Sequence, residues 1–329
     1  MSKREAQLKD WLASDCGLSR FDMVPASGDA SFRRYFRVQL SDGDTLIAMD
    51  APPDKEDCAP FVEVTARLER AGVHVPHIHA QDLKRGFLLL EDLGDRLYLG
   101  ELNRDTADGL YGAAIDALLR IQHADGVGLP LYDRALLWRE MMLFPEWLLT
   151  RHLGLVLSPA EQAMLEQGVE RLVENALAQP RVPVHRDYHS RNLLVCEGAS
   201  PGVIDYQDAV LGPLTYDLVS LLRDCYIAWP GERVDAWLSD YAERALDAGL
   251  LRPEDRGSLR RWFDLMGVQR HLKAAGIFAR LYHRDGKPGY LDDIPRTLGY
   301  ISAVAERNAD LEPLAALITE RVLPQLEAA

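Results

Sequence analysis

A short polar segment followed by an apolar run constrains this chain more than any other feature. The segment reads HRDYHSRNLLV and places Asp187 five residues before Asn192. A second apolar stretch, within GVIDYQD, ends at Asp205, 18 residues after Asp187. An aspartate held between buried flanks can accept a proton from an attacking hydroxyl, and carboxylate and amide oxygens suit Mg²⁺ when phosphate oxygens complete its shell. The pattern therefore predicts a phosphoryl-transfer site.

Asp187, Asn192 and Asp205 at these spacings form a more specific pattern than any one of them alone. The spacing His-x-Asp-x4-Asn is expected by chance in about one chain in a hundred of this composition, and the VID that follows lowers that frequency. The alternative is a polar turn whose Asp187 and Asn192 bond only to nearby backbone. We favour the catalytic interpretation because of the organisation of the chain around it.

The predicted secondary structure changes near residue 100. After an amphipathic first helix, short runs rich in β-branched and aromatic residues alternate with turns such as SGDA and SDGD, which predicts an antiparallel sheet. Beyond it, long helical patterns dominate, including 106–123, 134–152, 159–178, 214–228 and 254–283, with strands only around 182–205. We predict an α+β fold with a small sheet-rich N-lobe, residues 1–93, and a larger helical C-lobe, residues 94–329.

Composition excludes several classes of protein. With 329 residues and 47% hydrophobic content, the chain can bury a large core. A net charge of -14 opposes sequence-independent binding to nucleic acid or to an anionic membrane surface. No apolar run approaches the length of a membrane span, we expect the N-terminal residues to form an amphipathic helix rather than a signal peptide, and the four cysteines lack a CxxC pair. We expect a soluble, cytoplasmic monomer without nucleic acid or membrane partners.

The motifs resemble those of the aminoglycoside phosphotransferase and choline kinase branch of the protein-kinase-like fold. The segments that carry this resemblance are VHRDYHSRNLLV, GVIDYQDAVLGPLTYDLVSLL, SGDASFRRYFRV and FLLLEDLGD. The segments IAMDAPPDKED and MGVQRHLKAAGIFARL are similar to those of bacterial cell-wall amino-sugar kinases, which phosphorylate the anomeric hydroxyl of N-acetylmuramate and N-acetylglucosamine. The resemblance extends over nearly the whole chain and implies an ATP-dependent sugar kinase with an amino-sugar acceptor.

The resemblance also implies roles for single residues. Asp187 would orient or deprotonate the acceptor hydroxyl, while Asn192 and Asp205 would hold Mg²⁺ on the ATP phosphates. Asp217, in LTYDLVSLL, would support the catalytic loop, although a helix N-terminal carboxylate is the alternative.

Two further groups have predicted roles. The backbone of Glu91 and Leu93, in LEDLGD, would contact the adenine edge. His185 and His189 are interpreted as structural hydrogen-bonding residues, because a loop histidine that pins its own backbone is commoner than a catalytic one.

One expected residue is missing from the nucleotide site. Kinases of this fold place a lysine on the third N-lobe strand, paired with a glutamate on the next helix. Here that strand reads DTLIAMDAP, with Met49 at the lysine position, and Glu63 on the helix either holds an arginine or faces solvent. We expect Arg33 or Arg34 to bind the phosphates instead, with only one facing the cleft because side chains alternate along a strand. Both could also be solvated, and Lys55 is a weaker candidate.

A basic cluster in the C-terminal half suggests acceptor binding. The segment QRHLKAAGIFARL carries Arg270 and Lys273 on a helix that also has an apolar stripe. A solvated helix face is one interpretation; recognition of a substrate carboxylate, such as the lactyl group of muramate, is the other.

The competing functions are an aminoglycoside, choline or homoserine kinase, and a nucleotide-binding pseudokinase suggested by Met49.

Overall fold

The computed structural model describes residues 2–28, 32–198 and 201–328, so part of the predicted SGDA turn lies outside the described residues. The strands are β1 (Phe21–Gly28), β2 (Arg34–Leu40), β3 (Thr45–Asp50), β4 (Ile78–Asp82), β5 (Phe87–Glu91), β6 (Arg181–Val184), β7 (Leu193–Leu194), β8 (Gly202–Val203) and β9 (Val210–Pro213). The α-helices are α1 (Lys3–Ser14), α2 (Ala59–Arg70), α3 (Tyr98–Glu101), α4 (Ala107–His123), α5 (Arg134–Met141), α6 (Pro159–Leu177), α7 (Tyr216–Leu222), α8 (Gly231–Asp247), α9 (Leu259–Asp285), α10 (Ile294–Ala305), α11 (Glu312–Leu317) and α12 (Leu323–Ala328). Short π-helical or 3₁₀ segments occupy Phe144–His152, Pro253–Ser258, Pro288–Asp293, Ala309–Leu311 and Ile318–Val322. In the described ranges, no helix has both the length and the apolar character that crossing a membrane requires.

The chain divides into two compact units. The first unit comprises Met1–Glu101 and Arg191–Asp208, and the second comprises Leu102–Ser190 and Ala209–Ala329. The first unit thus includes a segment from the part of the chain that we assigned to the C-lobe. The lobe boundary at residue 93 stays a prediction.

The first unit is built on a five-stranded antiparallel sheet in the order β1-β2-β3-β5-β4. Alternate residues of β2, Phe36 and Val38, are buried and pack with Leu8, Trp11 and Leu12 of α1. This alternation of buried and more exposed side chains is what a sheet with one face on a core requires. The predicted strands of the N-terminal region and the amphipathic first helix are therefore confirmed.

A two-stranded pair, β7 with β8, also belongs to the first unit. Leu193 pairs with Val203 and Leu194 with Gly202 in antiparallel register. Asn192 precedes β7 and Asp205 closely follows β8, so antiparallel pairing brings the two predicted metal ligands to the same end. The apolar LLV therefore anchors the polar loop.

The second unit is mainly helical, with β6 and β9 as an antiparallel pair. Helix α9 is 27 residues long and is buried on most of its surface. Gly276 permits a close approach of this helix to the chain at Leu143, where a Cβ would lie 2.4 Å from the carbonyl carbon. A long buried helix of this kind carries its polar residues into the interior.

Three predicted boundaries were wrong. The helix expected over 134–152 is interrupted after Met141 and continues as π-helical turns from Phe144, where Pro145 has no N–H to donate. The helix expected over 214–228 spans only Tyr216–Leu222. Strand β9 lies beyond the region 182–205 to which strands were confined, because Gly212 and Pro213 mask its apolar pattern.

Candidate active site

A buried carboxylate holds the loop that carries Asp187 at the residues just before Asp187. Asp217 accepts hydrogen bonds from the backbone N–H groups of His185, at 2.6 Å, and Arg186, at 3.0 Å. Burial raises the pKa of Asp217 to about 6, although the two backbone donors oppose that rise. The geometry places Asp217 as support for the loop, which is the position that the resemblance implied.

The same loop is held at its other end by a residue that the sequence analysis missed. The buried Asp224 accepts hydrogen bonds from the backbone N–H of Ser190, at 2.9 Å, and from the Ser190 hydroxyl, at 2.5 Å. It also accepts from the backbone N–H of Tyr226 at 2.9 Å, which ties down the chain beyond the end of α7. The available signal was a carboxylate inside the apolar stretch LVSLLRDCY, seven residues after Asp217.

Both histidines of the loop, His185 and His189, are buried. His185 accepts a hydrogen bond from the backbone N–H of Asp187 through Nδ1, at 3.2 Å. His189 packs edge-on against Tyr226, with ring centroids 5.2 Å apart. Burial lowers the pKa of His189 to about 4, so its imidazole is neutral near pH 7. Both placements agree with structural roles.

Asp187 is partly exposed and surrounded by positive charge. Burial alone would raise the pKa of its carboxyl, but nearby charges, above all Lys273, hold the pKa below the ordinary value. His189, Arg270 and Arg186 contribute in the same direction. Asp187 is therefore ionised at neutral pH and can accept a hydrogen bond or a proton from a hydroxyl.

Lys273 and its neighbours form a buried network around Glu140. The Lys273 ammonium donates to the hydroxyl of Tyr216 at 3.0 Å and lies 3.1 Å from a carboxylate oxygen of Glu140. Glu140 also accepts from Arg186 and from the hydroxyl of Tyr132. Sequence analysis missed Glu140, whose only signal is an acidic residue on the buried side of α5. The network pairs two cations with one carboxylate and so keeps one excess positive charge.

Arg270 lies on the same helix but has different partners. Its Nε donates to the hydroxyl of Ser220, and its Nη1 lies 3.3 Å from the sulfur of Cys225. The side chain is buried, with 5% of its surface exposed. The prediction that Arg270 and Lys273 could lie on a solvated helix face is therefore wrong, because both side chains point into the interior of the second unit.

The predicted metal ligands meet within the first unit. The Asn192 amide donates to Oδ2 of Asp205 at 3.4 Å, and the backbone N–H of Ile204 donates to the Asn192 carbonyl at 3.1 Å. Gln207, which sequence analysis missed, donates to Oδ1 of Asp205 at 2.9 Å. Its own Oε1 is buried and accepts no hydrogen bond in the described part of the protein.

This donor set fits Mg²⁺. It offers carboxylate and amide oxygens, and the buried Oε1 of Gln207 is an oxygen that still lacks a partner. No cluster of three His, Cys, Asp or Glu residues able to hold a metal occurs among the described residues. A cation here would thus need ligands from outside the protein, as Mg²⁺ does when it is bound to nucleotide phosphates.

Backbone strain marks both loops. Arg186, with φ 79°, and Asp205, with φ 66°, are the non-glycine residues with positive φ in the described ranges. A non-glycine residue in this region costs free energy and persists where its surroundings impose it, which is common at functional sites. One strained residue lies next to Asp187 and the other is itself a predicted ligand.

Arg33 interacts electrostatically with one of the predicted metal ligands, Asp205. Its guanidinium pairs with Glu56 at 3.3 Å and is buried, with 9% exposed. Burial would lower the pKa of Arg33, but Tyr35 and the carboxylates of Glu56, Asp208 and Asp205 raise it. Arg33 therefore brings a fixed positive charge near Asp205.

Arg34 points elsewhere. It pairs with the fully buried Asp50, which also pairs with Arg4 of α1. Met49 is fully buried within β3, opposite Tyr35 of β2. The side chains of Arg33 and Arg34 therefore have different partners, as alternation along the strand requires. Arg34 is not proposed as a phosphate ligand.

The remaining candidates for the nucleotide site are Glu91, Leu93, Glu63 and Lys55. The Glu91 carboxylate accepts from the backbone N–H of His77 at 3.2 Å. The Leu93 carbonyl lies 3.6 Å from the sulfur of Cys196. Glu63 is exposed, and the ammonium of Lys55 sits 4.6 Å from the ring of the exposed Phe32.

Comparison with known proteins agrees with this arrangement. The model of the phosphotransferase enzyme family (APH) matches residues 22–262. The N-acetylmuramate/N-acetylglucosamine kinase of Pseudomonas putida is 52% identical over 299 residues, which cover 91% of this chain and 88% of that protein.

Solved structures show the same fold at low sequence identity. The choline kinase LicA from Streptococcus pneumoniae is similar with a TM-score of 0.64, 12% identity, and coverage of 93% of this chain and 100% of that chain. The ADP-bound aminoglycoside phosphotransferase APH(2'')-Ib has a TM-score of 0.60, 16% identity, and coverage of 90% and 97%. The predicted α+β, protein-kinase-like fold is thus confirmed.

The resemblance inferred from the motifs is confirmed as well, since the matched region contains both loops, the sheet and most of the helical unit. This chain belongs to the phosphotransferase enzyme family (APH).

Proposed function

We propose that this protein transfers the γ-phosphoryl group of ATP to the anomeric hydroxyl of N-acetylmuramate or N-acetylglucosamine. The observation that carries the proposal is Asp187, an ionised and partly exposed carboxylate on a loop that Asp217 and Asp224 hold at both ends. The name of the Pseudomonas putida relative supports the acceptor class. We keep cytoplasmic location and a monomeric state as parts of the proposal.

The chemistry assigned to Asp187 is modest. It orients the anomeric hydroxyl and accepts its proton as the hydroxyl oxygen bonds to the γ-phosphorus and the bond to ADP breaks. An anomeric hydroxyl is more acidic than an ordinary alcohol, so a carboxylate whose pKa is held low suffices. The rigid loop keeps this carboxylate in position, which matters because misplacement reduces rate steeply.

The nucleotide side of the reaction is assigned to the first unit. Asn192 and Asp205, with Oε1 of Gln207, would hold Mg²⁺, which neutralises charge on the phosphates when bound. Arg33 would replace the missing lysine at Met49 by bringing its buried guanidinium to the phosphates. The backbone of Glu91 and Leu93 would meet the adenine edge.

Charge around Asp187 separates this acceptor class from its competitors. Lys273, Arg270 and Arg186 place three cations near the proposed base. Lys273 and Arg186 share the Glu140 carboxylate, and among the described residues Arg270 has no carboxylate within 4.0 Å, so a neutral or anionic amino sugar suits this surrounding better than a cationic acceptor such as choline or an aminoglycoside. We therefore favour an amino sugar.

The test is a panel of acceptors with labelled ATP and Mg²⁺: N-acetylmuramate, N-acetylglucosamine, an aminoglycoside and choline, with the phosphate located by NMR. We expect phosphate on the anomeric oxygen of the amino sugars. Phosphate on choline or the aminoglycoside alone would contradict the proposal, and ATP binding without any product would indicate a pseudokinase.

A variant tests the proposed base. Asp187→Asn should lower kcat by about 10²–10⁴, the usual value of general-base assistance, with ATP binding little changed. Glu197→Gln, which changes an exposed carboxylate just beyond β7, is the control and should behave like the wild type. Wild-type turnover in Asp187→Asn would rule out this role.

A further inference from the structure

Two buried cations on helix α9 differ in how their charges are balanced. Lys273 lies 3.1 Å from the Glu140 carboxylate and donates to the Tyr216 hydroxyl. Its charge therefore has a carboxylate partner inside the protein, which it shares with Arg186. Arg270, one helical turn earlier on the same buried side, donates within the described residues to the hydroxyl of Ser220 and the sulfur of Cys225. Its partners carry no formal charge, since burial raises the pKa of the Cys225 thiol.

The contrast extends to the other buried arginines of the second unit. Arg186 pairs with Glu140, and Arg223 pairs with Asp264. Within the described residues, no carboxylate lies within 4.0 Å of the Arg270 guanidinium. The carboxylates of Asp187 and Asp224 act on Arg270 electrostatically from beyond that distance. The Arg270 guanidinium therefore has no direct ion pair among the described residues, and a ligand carboxylate that reached it would supply one.

Arg270 also lies near the proposed base without touching it. The charge of Asp187 contributes to raising the pKa of Arg270, and burial opposes that rise. Electrostatic influence without an ion pair means that the two side chains are close but separated. A ligand that presents a hydroxyl to Asp187 and an anion to Arg270 suits this arrangement.

We propose that Arg270 binds the carboxylate of anionic acceptors and so distinguishes N-acetylmuramate from N-acetylglucosamine at this site. The inference rests on the proposed function. In N-acetylmuramate the lactyl group is attached at O3, two ring carbons away from the anomeric carbon, so the base and the anion site must be separate. The planar fork of arginine matches a carboxylate with two parallel hydrogen bonds. Lys273, which already has a carboxylate partner in Glu140, instead acts as a positioning residue for Asp187 with either sugar.

The decisive experiment compares Arg270→Gln with the wild type on both sugars. We expect KM for N-acetylmuramate to rise by about 10- to 100-fold, the usual effect of losing a charge-assisted hydrogen bond. KM for N-acetylglucosamine should stay within about threefold, because that sugar lacks the carboxylate. Retained turnover of N-acetylglucosamine also shows that the variant is folded.

Lys273→Met is the contrasting variant. It should lower kcat for both sugars by the same factor and move the acidic limb of the pH profile upward, because Lys273 helps to hold the pKa of Asp187 low. If Arg270→Gln fails to fold, Arg270→Lys keeps the charge but loses the fork, and it should still raise KM for N-acetylmuramate selectively.

Equal losses with both sugars in either Arg270 variant would overturn carboxylate recognition. A wild-type enzyme that phosphorylates neither sugar would overturn the proposed function itself. The two failures are therefore distinguishable.

Discussion

Replacing Asp217 by asparagine separates loop positioning from stability. Both oxygens of the buried Asp217 carboxylate accept backbone N–H groups, from His185 and Arg186. Asparagine has the same shape but a single acceptor oxygen, so its amide nitrogen must face one of the two donors. The substitution therefore alters the contact of Asp217 with the loop and removes its negative charge.

The stability terms nearly cancel. One backbone N–H left without an acceptor and one weakened charge-assisted bond cost about 2–4 kcal/mol together. The aspartate, however, has a pKa raised by burial to about 6, from an ordinary value of 3.8. At neutral pH its ionised form therefore carries a penalty of about 3 kcal/mol that asparagine avoids. We expect the free energy of unfolding to change by about 1 kcal/mol or less.

Activity has no such compensation. Arg186, whose backbone N–H loses its partner, is adjacent to Asp187, and a shift of the base of about 1 Å can cost about 100-fold in rate. We expect Asp217→Asn to lower kcat by about 100-fold with a melting temperature within about 4 °C of the wild type.

The assay is kcat at saturating ATP and amino sugar at pH 7.5, beside a thermal melt followed by circular dichroism. Asp247→Asn, at an exposed position at the end of α8, is the control. A kcat within threefold of the wild type would refute the positioning argument. A fall of more than about 10 °C in melting temperature would show that the charge cost of Asp217 is overestimated.

Two further predictions concern other parts of the molecule. Arg33→Met should raise KM for ATP about tenfold while Arg34→Met should not, because only Arg33 lies near the metal ligands; equal effects in steady-state kinetics would contradict this assignment. Burial lowers the pKa of His271 to about 3, so below pH 6.5 the unfolded chain binds a proton that the folded protein excludes. Its contribution to stability should fall by about 2 kcal/mol between pH 6.5 and pH 5. His271→Gln, which keeps a donor for the Arg223 carbonyl, should remove that part of the pH dependence in urea unfolding, and an unchanged slope would count against it.

The two loops were predictable because their residues act over short sequence distances. Asp187 and Asn192 share one segment, and the apolar strand that follows Asn192 and the one that precedes Asp205 fix where these polar side chains lie. The partners that balance the site were not predictable. Glu140 meets Arg186 across 46 positions of sequence, and no local pattern reports a contact of that kind.

Strand alternation gave only part of the prediction about the phosphate-binding arginine. It indicated that only one of Arg33 and Arg34 could face the nucleotide, but it left open which one. The answer depends on Asp50, which binds Arg34 on the face that α1 covers through Arg4. A tertiary pairing, rather than the propensity of either arginine, decides the direction of both side chains.

The charge distribution connects acceptor choice to the strength of the base. The chain has a net charge of -14, yet its second unit gathers Lys273, Arg270 and Arg186 around Asp187. These cations lower the pKa of Asp187 and so weaken it as a base. A weaker base removes a proton efficiently only from a more acidic hydroxyl. We infer that the same three charges that attract an anionic sugar also restrict the reaction to its anomeric position, because ordinary ring hydroxyls would be too weakly acidic for this carboxylate.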